Sequence, residues 1–138
     1  MDECTGRDSV KKVGIAILTG LISMNCFAQA TVYTDTTKPI TVSKASDEFI
    51  ISLESNPSTG YTWFLKDFKN NLIELKSHDY QPPKDTKVGA PGRDVWEFEM
   101  EDKAFVAPQM IDLTFVYTKP WDLKTQKQEV FTVLTTDQ

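Results

Sequence analysis

Histidine and cysteine, the side chains that most often serve as general bases, nucleophiles and metal ligands, are scarce in this 138-residue chain. There is one histidine, His78, next to Asp79, and there are two cysteines, Cys4 and Cys26. Among the 20 acidic residues, Glu97, Glu99, Glu101 and Asp102 form one group. General acid–base catalysis needs a titratable group held against a reacting atom, and a metal centre needs several convergent donors. His78 and Asp79 read as an exposed polar pair in a loop, and the carboxylates as the solvated side and end of a strand. Catalysis is therefore not expected, nor any cofactor or metal. What remains is recognition, and the run suited to it is Asn56-Pro57-Ser58-Thr59-Gly60-Tyr61-Thr62-Trp63. Pro57 fixes its own φ and pushes Asn56 toward extended geometry, while Gly60 can take the positive φ that sharp loop closure needs. The plainer alternative is a hairpin made of generic turn residues.

The elements around this turn alternate with period two. Phe49, Ile51 and Leu53 lead into it, and Tyr61, Trp63 and Leu65 lead out of it. Trp96, Phe98 and Met100 form a third alternating run, Ile111, Leu113, Phe115 and Tyr117 a fourth, and Val130 to Thr135 a last strand. Trp63 and Trp96 fall on the apolar phase and are expected in the core. The segment around Asn70 to Ser77 suits a short helix or, through Leu72, Ile73 and Leu75, a strand. Thr31 to Pro39 is polar and reads as a loose leader, with the first strand beginning near Ile40. Several strands with Pro and Gly between them and no βαβ rhythm predict an all-β, immunoglobulin-like antiparallel β-sandwich.

Residues 1–30 have the pattern of a secretory signal peptide, with Lys11 and Lys12 before an apolar run and Ala28-x-Ala30 at its end. Removal after Ala30 leaves one domain over residues 31–138, without a thiol, in the periplasm or the extracellular medium. Lipid attachment at Cys26 is a minor alternative. Asp2, Glu3 and Asp8 sit oddly in a region that should be positive, and a start at Val10 would open on the two lysines. The net charge of −5 argues against nucleic acid and anionic membranes as partners.

Two further loops stand at strand ends. Lys87-Val88-Gly89-Ala90-Pro91-Gly92-Arg93 predicts a type II turn with Gly92 at positive φ, and Gly89 and Ala90 leave backbone groups open for pairing with an extended partner. The alternative is a flexible hairpin tip. In Thr118-Lys119-Pro120-Trp121-Asp122, Trp121 is either an exposed interface anchor or a lid folded back on the core.

In this order, the three loops resemble the chagasin-like inhibitors of papain-family cysteine peptidases. The family pattern is Asn-Pro-Thr-Thr-Gly followed by Tyr or Phe, then a Gly-rich loop, then Arg-Pro-Trp. Here Ser58 replaces the first threonine and Lys119 the arginine, and the Gly89 to Gly92 match is loose. The resemblance covers nearly all of residues 40–138. It implies a monomeric, reversible, competitive inhibitor with a wedge of three loops entering the cleft of a papain-like cysteine peptidase. Asn56, Pro57, Ser58, Thr59, Gly60 and Tyr61 would then form the first contact loop, with Thr59 and Gly60 over the catalytic centre. Gly89, Ala90, Pro91, Gly92 and Arg93 would make backbone contacts, and Lys119, Pro120 and Trp121 would supply the anchor. The rival is a secreted immunoglobulin-like module binding carbohydrate or a protein through Trp63, Trp96 and Trp121.

Overall fold

The computed structural model describes residues 29–136, so the expected leader, with Cys4 and Cys26, lies outside the described residues except for its last two positions. Eight strands follow: β1 (Thr31–Tyr33), β2 (Ile40–Ser43), β3 (Glu48–Ser55), β4 (Thr62–Asp67), β5 (Ile73–Gln81), β6 (Gly92–Met100), β7 (Gln109–Lys119) and β8 (Asp122–Thr136). They form two four-stranded sheets, ordered β1-β3-β6-β5 and β2-β8-β7-β4. The sandwich expected from the alternation is therefore present. Its central pairings are antiparallel, while the edge strands β1 and β2 run parallel to β3 and β8.

The inward positions of both sheets are filled by aromatic and branched side chains. Phe49 stacks on Phe98 within one sheet at 5.4 Å between centroids, and Phe98 and Phe131 each meet Phe115 edge-on at 6.4 and 5.9 Å. All four are buried, as are Ile40, Ile51, Ile73, Ile111, Leu113 and Val133. Each such side chain contributes about 1.5–3 kcal/mol relative to exposure. Trp63 and Trp96 belong to this core, as their strand periodicity predicts.

Two expectations change and one open reading is settled. Thr31 to Tyr33 is not part of a loose leader, because it pairs with Phe49 to Ile51 as an edge strand. Three residues are too few for a period to declare itself. The ambiguous segment around Asn70 resolves as strand β5, entered through a turn closed by the Leu72 N–H on the Lys69 carbonyl. A bulge between Leu75 and Ser77 then shifts the alternation of β5 and turns His78 toward Trp96. His78 is therefore not a loop residue paired with Asp79. Its ring stacks on Trp96 at 3.7 Å, and its Nε2 lies 3.0 Å from a carboxylate oxygen of buried Asp94. On the same edge strand, Lys76 bridges Glu99 at 2.7 Å. That bond, with Glu74 behind it, raises the pKa of the Lys76 ammonium.

A three-loop candidate binding site

Loop 1 (residues 56–61) carries the chain from β3 in one sheet to β4 in the other, so it is a crossover and not a hairpin. Loop 2 (residues 82–91) joins β5 to β6, and loop 3 (residues 120–121) joins β7 to β8. Because β3, β5 and β7 end where β4, β6 and β8 begin, the strand pairings bring all three loops to the same end of the sandwich.

Loop 1 is a single 3-10 turn over Pro57–Thr59, with Asn56 before it and Gly60 after it. Pro57 takes the first helical position, where its missing N–H leaves nothing unsatisfied. Gly60 stands at φ +82°, the left-handed geometry expected of it, and its N–H closes on the Pro57 carbonyl at 3.0 Å. The Asn56 carbonyl accepts both the N–H and the hydroxyl of Thr59, at 3.1 and 2.7 Å, and the Ser58 hydroxyl donates to the Asn56 side-chain oxygen. The bend is thus fixed by bonds inside the loop, with Pro57, Ser58 and Thr59 exposed.

The loops also touch one another. The Asn56 side-chain amide donates to the Gly89 carbonyl of loop 2 at 3.2 Å. Trp121 of loop 3 lies against Gly60 so closely that an added β-carbon there would come within 2.9 Å of the indole. The Lys119 ammonium sits 5.0 Å from the centre of the Tyr61 ring, a cation–π distance. Tyr61 in turn stacks on Tyr117 at 5.3 Å and hydrogen-bonds Thr125 through its hydroxyl at 3.3 Å.

Trp121 is 74% exposed, which decides between the two readings of that residue in favour of a surface aromatic. Trp63 donates to the Glu54 carbonyl from within the core and Trp96 is covered by His78, so neither offers a face to a carbohydrate ring.

Loop 2 departs from expectation. Gly89, at φ +83°, holds the positive φ assigned to Gly92. Gly92 instead opens β6 opposite Ser55, buried where a β-carbon would stand 2.4 Å from both the Gln81 carbonyl and the Tyr80 hydroxyl oxygen. Close approach, not turn geometry, requires a glycine at 92. Of the backbone groups expected open at Gly89 and Ala90, two are taken: the Gly89 carbonyl by the Asn56 side-chain amide, and the Ala90 N–H by the Lys87 carbonyl at 3.1 Å. What loop 2 presents is the fully exposed side chain of Val88. Pro91 is exposed, whereas Arg93 turns back onto β3, its guanidinium giving two 2.6 Å bonds to the Ser52 hydroxyl and carbonyl.

Tyr117 and Thr125, which join the loops, were not among the residues singled out from the sequence. Tyr117 was legible only as the last inward position of its strand; a tyrosine ending an apolar row must find a partner for its hydroxyl, and that was the available signal. Between the sheets below loop 1 lies a cleft of about 460 Å³ lined by Ser55, Asn56, Trp63, Tyr117, Lys127 and Glu129 among others. The Ser55 hydroxyl is buried there without a partner.

Among solved structures, the chain is similar to the cysteine protease inhibitor EhICP2 from Entamoeba histolytica, with a TM-score of 0.58 and 15% identity over 78% of this chain and 97% of that one. It is similar to amebosin, known from a solution structure, with a TM-score of 0.55 and 18% identity over the same shares. At such identities the likeness is one of fold. A comparison with curated proteins finds no match. The family model described as chagasin family peptidase inhibitor I42 matches residues 42–134. Since that match runs from β2 into β8 and takes in all three loops, the chain belongs to the chagasin family of peptidase inhibitors.

Proposed function

We propose that this protein is a reversible, tight-binding competitive inhibitor of papain-like cysteine peptidases, acting through the three loop tips as one wedge. The observation that carries this reading is the mutual bracing of the loops at one end of the sandwich, with Gly60 against Trp121 and Asn56 bonded to Gly89. A papain-like enzyme attacks a carbonyl held extended beside its thiolate and its oxyanion donors. Loop 1 is held in a tight turn by the closure of Thr59 on Asn56 and of Gly60 on Pro57. No peptide bond in it can extend into attack geometry without breaking those bonds. Thr59 then fills the space above the thiolate, while exposed Val88 and Trp121 contact the two cleft walls.

The same bracing favours affinity, since a loop already ordered loses less entropy on binding. Inhibitor–protease pairs of standard size are among the tightest complexes known, and we place this one at nanomolar or below, about −12 kcal/mol. The leader pattern supports action outside the cytoplasm, in the periplasm or the medium.

The test is a titration of purified residues 31–138 against papain with a fluorogenic peptide, with trypsin as control. Stoichiometric loss of papain activity alone is the expected result. A folded sample that leaves papain and a cathepsin L-type enzyme untouched at micromolar concentration would overturn the proposal.

A further inference from the structure

Loop 1 crosses between sheets, so strand pairing alone does not fix where it begins relative to loop 3. The Asn56 N–H, first residue past β3, donates to the hydroxyl of Tyr117 at 3.1 Å, across from one sheet to the other. The exit of the same loop packs on the same side chain, with the Tyr61 ring at 5.3 Å and the Trp63 ring at 4.8 Å from the Tyr117 ring. Tyr117 itself lies on β7, two residues before Lys119, and Lys119 sits over Tyr61. One side chain therefore holds both ends of loop 1 on the strand that carries loop 3. The Asn56 side chain, bonded to Gly89, passes the restraint on to loop 2.

We infer that Tyr117 is a positioning residue that sets the spacing between the loop 1 and loop 3 tips, and that its hydroxyl governs how long a bound peptidase is retained. The second half rests on the inhibitor reading above. The ordinary role of such a tyrosine is to finish the apolar row Ile111, Leu113, Phe115. A phenylalanine would do that equally well. What it could not do is accept the Asn56 N–H, and that is the group whose loss frees the loop entry. Pre-organising a binding loop acts more on dissociation than on association, so the effect belongs in the off-rate.

Tyr117→Phe removes one oxygen and keeps the stacked ring, so the variant folds. Three readouts separate positioning from simple stability: amide exchange at Asn56 in the free protein, association and dissociation rates on immobilised papain, and the melting temperature. Tyr33→Phe, on β1, is the control. The expected result is faster exchange at Asn56 with core strand amides still protected. Dissociation should quicken by roughly three- to tenfold, the range of one hydrogen bond, with association changed by less than about twofold. Unchanged exchange at Asn56 would overturn the positioning role. Faster exchange with an unchanged off-rate would overturn the link to retention. If the unaltered protein binds neither papain nor a cathepsin L-type enzyme, the inhibitor reading and retention fall together, while exchange at Asn56 still decides whether the hydroxyl holds the loop.

Discussion

Gly60→Ala separates the contribution of loop shape from that of loop contact. The substitution imposes two costs. An alanine at φ +82° occupies the left-handed region at about 1 kcal/mol or slightly more. Its β-carbon also arrives 2.9 Å from the Trp121 ring, closer than carbon atoms can stand. Being 74% exposed, the indole can swing away into solvent, so the clash is relieved cheaply in the free protein. Stability should therefore fall by the backbone term alone, lowering the melting temperature by roughly 4–8 °C. Binding is different. If Trp121 anchors the wedge, displacing it sacrifices a hot-spot contact of about 2 kcal/mol, or roughly thirtyfold in Ki. Gly89→Ala is the matched reference, because Gly89 has φ +83° and nothing lies near its would-be β-carbon. It should melt like Gly60→Ala and inhibit far better. The assay is progress-curve inhibition of papain beside thermal melts, repeated in a Trp121→Ala background, where Gly60→Ala should lose most of its effect on Ki. An equal effect with and without the indole would refute the reasoning.

Two other substitutions test the packing at the same end. Gly92→Ala drives a β-carbon to 2.4 Å from the Gln81 carbonyl, and because backbone must move the loss should reach about 3 kcal/mol in a urea melt, even though φ at this position is ordinary. Ser55→Ala deletes a buried hydroxyl that bonds no other group of the protein and should cost no stability, read as a midpoint no lower than that of the unaltered protein at unchanged slope.

The sandwich was legible because its long strands alternate cleanly. Phe49 to Leu53 and Ile111 to Tyr117 state their inward faces residue by residue, and the structure follows them. Loop 1 was legible for a local reason, since Pro57 and Gly60 dictate backbone angles whatever surrounds them. The parts that were not legible depend on events elsewhere in the chain. Nothing near His78 announces a bulge at Lys76, yet that bulge turns the ring onto Trp96. Pro91-Gly92 carries a genuine turn signature, but β6 begins at Gly92 because Ser55 pairs with it, and the positive φ passes to Gly89. Likewise, Tyr117 acquires its role from Asn56, a partner sixty-one residues away.

The parallel pairing of β2 with β8 has a consequence in time. Ile40 lies opposite Val133, so β2 finds its neighbour in a strand far along the chain. Contacts of such sequence separation form late, because the intervening chain must first be brought together. A chain emerging from a ribosome or a translocation pore cannot close its second sheet until β8 is free. The strand it then recruits begins at Asp122, immediately after Trp121. Closure of the second sheet thus waits on the segment that follows loop 3, and a product truncated within β8 leaves β2 without the neighbour it pairs with here.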